Sequence, residues 1–241
     1  MQKTQKILIG TGAGVLVLAV AAVIAGPVIY RDFIAAPAAE APTLSSDDSL
    51  LDEQSSSDGD SVSLDPAALS GEWRVAEGSE AGYRVDEVLR DVDVTVTGRT
   101  SDVSGTLTIG EDGLTLEAAD LAVDVGSIET DASARDAYFR DTAMRVGEHP
   151  TATFALTQPV AFTEVPAAGE TVQAQASGDL TLAGVTRSVT AEVEVRSDGT
   201  TTEIAGSIPI VFADFDIDAP NLGFVQVEPD GFVEFQLNAM K

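Results

Sequence analysis

The chain has 241 residues, of which 44% are hydrophobic, and this is enough for one domain with a packed core. Its formal net charge of -27 would repel phosphates, so a nucleic-acid partner is excluded. The sequence contains no cysteine, which excludes disulfides, thiolate metal sites and cysteine nucleophiles.

The N-terminal segment has the pattern of a membrane anchor. Residues 1–6 are polar and basic, whereas residues 7–30 carry no charge. A helix of this length spans a hydrocarbon core of roughly 30 Å. Because positive flanks stay on the cytoplasmic side, we expect residues 1–6 to be cytoplasmic and the C-terminal domain to lie outside a single-pass cell membrane protein. A signal peptide cleaved near the small residues 35–39 is the open alternative. Gly10 and Gly14 could let two such helices approach closely, so a homodimer also stays open.

Residues 31–70 have the composition of a disordered acidic linker. They are rich in Ser, Asp and Pro, and no basic residue occurs between Arg31 and Arg74. Such a segment buries too little apolar surface to offset its chain entropy. We expect it to hold the following domain away from the membrane, with Val62, Leu64 and Leu69 docking slightly.

Residues 71–241 alternate between apolar and polar side chains with the period of β-strands. Asp-Gly pairs at 112–113 and 198–199 separate alternating runs and predict hairpin turns. About eight such runs predict an all-β antiparallel barrel. The stretch from Thr130 to Glu148 lacks this alternation and predicts a short helical insert, which we place over one mouth of the barrel.

Several polar residues are candidates for a site. Arg135 beside Asp136, and Arg187, could clamp the polar head of a ligand, although structural hydrogen bonds that pin the insert are the preferred interpretation. His149 is the only histidine and precedes Pro150, so we interpret it as structural. Residues 214, 216 and 218 are alternating aspartates, but the following positions lack the glycine and glutamate of a calcium loop. We therefore predict no metal site, no cofactor and no catalytic residue.

Aromatic side chains recur along the domain and could line one interior, or simply fill an ordinary core. The candidates that we single out as ligand-binding are Tyr83, Tyr138, Phe139, Phe154, Phe212, Phe215 and Phe224.

The order of motifs resembles that of the YceI-like family, and in particular that of its membrane-anchored members. The resemblance covers about residues 73–241, and its most specific part is the run Gly178-x-Leu180-Thr181-Leu182-x-Gly184-Val185-Thr186-Arg187. It is carried also by Trp73, Gly82-Tyr83-Arg84-Val85, Ser127-Ile128, Arg135-Asp136, Pro150 with Phe154, and Glu234-Phe235-x-Leu237. Many members carry histidines near the first strands, where this chain has Gly78-Ser79 and Glu87-Val88, so no histidine role transfers.

This resemblance implies a lipocalin-like barrel with an elongated apolar tunnel, lined by the aromatic residues named above. It implies a non-enzymatic, membrane-anchored extracytoplasmic protein that carries or sequesters an apolar lipid, such as a polyisoprenoid or an isoprenoid quinone. The alternative is a structural or interaction module of the cell envelope whose barrel is filled.

Overall fold

A computed structural model describes residues 38–44, 63–89, 92–221, 223 and 225–241. The predicted cytoplasmic N-terminus, the membrane helix at 7–30 and most of the linker lie outside these residues. Within the described residues, no helix is both long and apolar enough to span a membrane.

Antiparallel strands make up most of the described chain, as the alternation of apolar residues predicts. The eleven strands among the described residues are β1 Gly71–Val75, β2 Glu80–Leu89, β3 Val92–Thr100, β4 Val103–Ile109, β5 Thr115–Asp124, β6 Thr151–Leu156, β7 Val160–Ala161, β8 Thr171–Leu182, β9 Val185–Ser197, β10 Thr201–Val211 and β11 Val225–Met240.

Eight of these strands form a closed ring in the order β1-β4-β5-β6-β8-β9-β10-β11. The ring closes where β1 pairs with β11, at Arg74↔Met240 and Val75↔Ala239. The β2–β3 hairpin extends the sheet through the pairing of β2 with residues 225–236 of β11, ahead of the positions where β11 pairs with β1. Strand β7 adds a short pairing to β5. The predicted antiparallel eight-stranded barrel is therefore confirmed.

Helical structure is confined to short segments. Helix α1 is Pro66–Leu69, and the carboxylate of Asp65 accepts a hydrogen bond from the Ala67 N–H at its start. The predicted insert contains helix α2, Ser133–Tyr138, which continues into a π-helical turn at Phe139–Ala143. Two 3₁₀ turns occupy Val125–Ser127 and Phe212–Phe215. Strand β10 therefore ends before Phe212, and the three aspartates from 214 to 218 do not lie on one strand face.

Turn residues set the register of the hairpins. Asp112 accepts hydrogen bonds from the N–H groups of Leu114 and Thr115, and Asp198 does the same for Thr200 and Thr201. Between β8 and β9, the two-residue turn has Ala183 at a φ of 48° and Gly184 at 83°. Positive φ at both positions gives a turn whose twist matches the flanking strands.

The core has two clusters at opposite ends of the barrel. One contains Trp73, which is 1% exposed and donates a 2.7 Å hydrogen bond from its indole nitrogen to the Leu69 carbonyl. The other contains Leu180, Ile208 and Phe215, next to the helical insert.

Two pieces of the expected linker pack against the barrel. The carbonyl of Ala39 accepts a hydrogen bond of 2.6 Å from Arg84, and the Ala39 N–H donates to the Thr97 hydroxyl. Helix α1 precedes β1 directly, and its Leu69 is buried. The expected docking of Leu64 and Leu69 is confirmed, because Leu69 is buried in the cluster around Trp73 and Leu64 packs against it. Val62 lies outside the described residues.

Candidate ligand-binding cavity

A cavity of about 890 Å³ opens at the end of the barrel that carries the helical insert. This volume is at the upper end of the roughly 300–1,000 Å³ found for small-molecule sites. Its wall is mostly apolar and consists of Ala81, Gly82, Tyr83, Val85, Glu87, Leu89, Val96, Val123, Val125, Ile128, Ala134, Arg135, Tyr138, Phe139, Ala143, Met144, Ala152, Leu182, Ile210, Phe212, Ile217, Asp218, Ala219, Pro220, Val225, Val227 and Val233.

A second cavity, of about 120 Å³, lies deeper in the barrel and shares part of its wall with the first. The shared residues are Ala81, Val123, Ala152, Leu182 and Val233. Among the described residues of its wall, Thr153 is the only one with a polar side chain. The two cavities adjoin, so together they form an apolar path along the barrel interior.

Strand geometry explains which side chains face the large cavity. On β2, every second residue from Tyr83 to Leu89 lines the wall, because successive side chains point to opposite faces of a strand. The same alternation places Val225 and Val227 of β11 on the wall. The period-two pattern of the sequence therefore creates the apolar lining.

The helical insert contributes one side of the cavity wall. Ala134, Arg135, Tyr138 and Phe139 face inward at the three- and four-residue spacing of one helix face. The Phe139 ring stacks on Tyr83 of β2, with ring centroids 4.8 Å apart. This stack joins the insert to the barrel.

An ion pair crosses from the insert to β2. The Arg135 guanidinium lies 3.3 Å from the Glu87 carboxylate and 2.5 Å from Asp131. Burial opposes the positive charge of Arg135, but the carboxylates of Glu87 and Asp131 outweigh this effect and raise the pKa of Arg135 above its usual value. Arg135 therefore carries a charge that is already compensated by two acids.

Asp136, the neighbour of Arg135, has a structural role. Its buried carboxylate accepts hydrogen bonds of 2.9 Å from the Thr130 N–H and 2.7 Å from the Thr130 hydroxyl. These bonds fix the entry of the insert. The two adjacent residues therefore have different roles, since Arg135 lines the cavity and Asp136 does not.

Tyr83 presents its phenol in the cavity wall. Burial, reinforced by nearby acids and opposed by Arg135, raises the pKa of Tyr83 to about 12. The group is therefore a neutral hydrogen-bond donor at physiological pH. Among the described residues no partner accepts from this hydroxyl.

The structure brings together most of the predicted ligand-binding residues. Tyr83, Arg135, Tyr138, Phe139 and Phe212 line the large cavity, and Phe154 lines the deeper one.

Two other candidates lie away from the cavities, and a third is outside the described residues. Phe215 is buried in the adjoining core cluster, at 2% exposure, and does not line either cavity. Arg187 is exposed on β9, where its guanidinium donates to the Thr186 carbonyl. Phe224 lies outside the described residues.

His149 contacts the β8–β9 turn rather than the cavity. A side chain added at Gly184 would place its Cβ 2.4 Å from the His149 ring, so the imidazole lies directly over this glycine. No cluster of three or more potential metal ligands occurs in the part of the chain that the structure describes.

Glu87 is the site residue that the sequence analysis missed. The family resemblance marks this position only as one near which many members carry histidine. The alternation along β2 indicates this position, because it places residue 87 on the same face of the strand as Tyr83. The segment Ile217–Pro220 also lines the cavity, although the sequence suggested only an unlikely calcium pattern there, because the segment follows a turn that the strand pattern does not reveal.

A closed antiparallel barrel around an apolar cavity defines a lipocalin-like class of binding fold. Residues 73–239 match the YceI-like domain, and the chain belongs to this family. A UPF0312 protein of Pseudomonas paraeruginosa is 33% identical over 103 residues, which cover 42% of this chain and 50% of the relative. A UPF0312 protein of Pseudomonas aeruginosa is 32% identical over 103 residues, with the same coverage. The chain thus spans about half the length of the curated relatives it matches.

A solved structure supports the same fold. It is a polyisoprenoid binding domain from Saccharophagus degradans, implicated in plant cell wall breakdown. It superposes with a TM-score of 0.55 at 20% identity and covers 70% of this chain and 97% of its own. At this identity the likeness shows the fold alone.

Proposed function

We propose that this protein binds an isoprenoid or a similar apolar lipid inside the barrel and carries or sequesters it. The observation that carries the proposal is the cavity of about 890 Å³ with its mostly apolar wall. Each methylene that moves from water into such a cavity contributes about 0.8 kcal/mol to binding. The polyisoprenoid-binding relative named above supports this class of ligand. Binding of this kind requires no catalytic residue and no cofactor.

The large cavity argues against the filled-barrel alternative. A barrel interior filled by its own side chains leaves few voids larger than a water molecule. Here two adjoining cavities run from the insert into the barrel interior. The space fits a slender apolar chain with its polar end near Arg135 and Tyr83.

The cellular context of this function is part of the proposal. We place the barrel on the extracytoplasmic side of the membrane, anchored by residues 7–30, because that segment is uncharged and follows two lysines. Protease treatment of intact spheroplasts should degrade the barrel domain. Protection of the domain until the membrane is lysed would contradict this placement.

The ligand proposal is tested with the full-length protein from its native host. Lipids extracted after exchange into detergent-free nanodiscs are identified by mass spectrometry. Val85→Trp should fill the cavity, since Val85 faces it, and should remove the co-purifying lipid. The matched control is Asp86→Trp, because Asp86 is exposed on the opposite face of β2. Equal lipid content in both folded variants would reject the proposal.

A further inference from the structure

We call the part of the cavity wall where Arg135 contacts Glu87 its polar end. The charged side chains among the described lining residues are Glu87, Arg135 and the exposed Asp218. The only cation of this set, Arg135, already pairs with Glu87 and with Asp131 outside the wall. At the polar end, one cation therefore faces two acids, Glu87 and Asp131.

Two arginines of the neighbouring strands β2 and β3 are also engaged, whereas Arg140 of the insert has no side-chain partner among the described residues but does not line the cavity. Arg84 and Arg99 both bind the carboxylate of Glu234, which is 3% exposed. Arg99 also donates to the Tyr83 carbonyl over 2.9 Å. Neither arginine is part of the cavity wall. A phosphate entering the cavity would find no uncompensated cation among the described lining residues.

Glu87 retains one free hydrogen-bond acceptor. Its side chain is 7% exposed, and its Oε1 accepts from Arg135. For the second carboxylate oxygen, no donor is seen among the described residues. This oxygen is not one of the fully buried unpaired atoms among the described residues, so it is open to the cavity and can accept a hydrogen bond from a ligand.

Tyr83 adds a donor on the same face of β2. Its hydroxyl has no acceptor among the described residues, and it lines the same cavity. The polar end thus offers an anionic acceptor at Glu87 and a neutral donor at Tyr83. A hydroxyl group can both donate and accept hydrogen bonds, so either side chain can bind it.

We infer that the cavity selects a lipid whose head is uncharged and carries a hydroxyl donor, as in a prenyl alcohol, and that Glu87 rejects phosphorylated heads. This inference rests on the proposed lipid-binding function and specifies its ligand class. A phosphate or diphosphate would be forced next to Glu87, which shares the single positive charge of Arg135 with Asp131, and juxtaposed like charges cost several kcal/mol. A head that only accepts hydrogen bonds leaves the second oxygen of Glu87 without a donor.

The test uses the full-length protein and three probes with one hydrocarbon chain: geranylgeraniol, its methyl ether and its diphosphate. Dissociation constants are measured by equilibrium dialysis in nanodiscs. We expect the wild type to bind the alcohol at least about tenfold more tightly than either other probe, the size of one hydrogen bond to a charged group. Equal or tighter binding of the diphosphate would overturn the inference.

Glu87→Gln provides the second arm, and Glu129→Gln is its matched control. The second substitution removes the same charge from an exposed position just before the insert. Comparing the alcohol-to-diphosphate ratio between variants cancels the different water solubility of the probes. Glu87→Gln should shift this ratio toward the diphosphate by about tenfold or more, because it removes the carboxylate charge. A similar shift in Glu129→Gln would assign the effect to the general acidic field and reject the role of Glu87.

The two proposals fail differently. If the alcohol binds but the probes are not discriminated, the head-group inference is wrong and lipid binding stands. If no probe binds the wild type, lipid binding fails and the inference fails with it.

Discussion

The guanidinium of Arg145 donates a hydrogen bond of 2.7 Å to the backbone carbonyl of Ala183. Arg145 lies in the helical insert, just after its π-helical turn, and Ala183 begins the β8–β9 turn, so this bond ties the insert to the barrel rim. Both residues have a positive φ, of 50° and 48°. A second nitrogen of Arg145 reaches the carbonyl of Asp216, whose φ is 54°. One side chain therefore supports three strained backbone positions, each of which costs about 1–3 kcal/mol.

Arg145→Met should loosen the insert, because it removes both carbonyl contacts without changing the backbone strain at that position. We expect a loss of about 1.5–3 kcal/mol in the free energy of unfolding, as for a hydrogen bond to a charged group. Amide hydrogen exchange should rise in Ser133–Tyr138. Arg140→Met is the control, since no ion pair or hydrogen bond of the Arg140 side chain is seen among the described residues. Equal losses in the two variants would contradict this role of Arg145.

Gly184→Ala should destabilise the domain through two effects. Its φ of 83° costs an L-residue roughly 1–2 kcal/mol, and the new Cβ would meet the His149 ring at 2.4 Å. Gly169→Ala is the matched control, because φ is 77° there and nothing lies within 4 Å. Urea denaturation should show the larger loss at Gly184. Adding His149→Ala should recover part of it, and additive losses would argue against the steric contact.

Much of the architecture could be predicted from the sequence, since alternation and Asp-Gly turns are local signals. The barrel, the helical insert and the turns at Asp112 and Asp198 follow from such signals. The pairing of Arg84 with Glu234 could not be predicted, because these residues are 150 positions apart and meet only through the register of β2 on β11. The contact of Glu87 with Arg135 depends likewise on how the insert packs.

Tyr83 should make stability depend on pH in the alkaline range. Below about pH 10 the phenol is neutral in both states, so it contributes no pH dependence. Between about pH 10 and pH 12 the Tyr83 phenol loses its proton in the unfolded chain. In the folded protein it keeps this proton, because its pKa is raised to about 12. The free energy of unfolding should therefore fall by up to about 2.7 kcal/mol in this window.

Tyr83→Phe should remove this contribution, and Tyr138→Phe, in the same cavity wall, is the control. Denaturation at about pH 9 and about pH 12 gives the change in unfolding free energy for each variant. The difference between wild type and Tyr83→Phe should appear only at the higher pH. If the unfolding free energy changed by the same amount between the two pH values in the wild type and in Tyr83→Phe, Tyr83 would not titrate as expected.

Ala152→Phe should shorten the lipid chain that the barrel accepts. Ala152 lies where the two cavities meet, so a ring there would separate the deep cavity from the large one. We expect weaker binding of long prenyl chains and unchanged binding of short ones. Overpacking by the new ring should lower the free energy of unfolding by about 1–3 kcal/mol. Ala122→Phe is the control, since Ala122 lines neither cavity. An equal loss for both chain lengths would mean that ligands do not extend past Ala152.

The pairings of β11 have a consequence for synthesis on the ribosome. This strand, last among those described, pairs with β10, β2 and β1. Strand β2 of the β2–β3 hairpin and strand β1, which closes the ring, therefore lack their partner β11 until it leaves the exit tunnel. Since residues are added at about 5–20 per second, the apolar inner face stays uncovered for several seconds during translation. The acidic residues along the strands would keep nascent chains apart during this interval, so chaperone demand should be greatest just before β11 emerges.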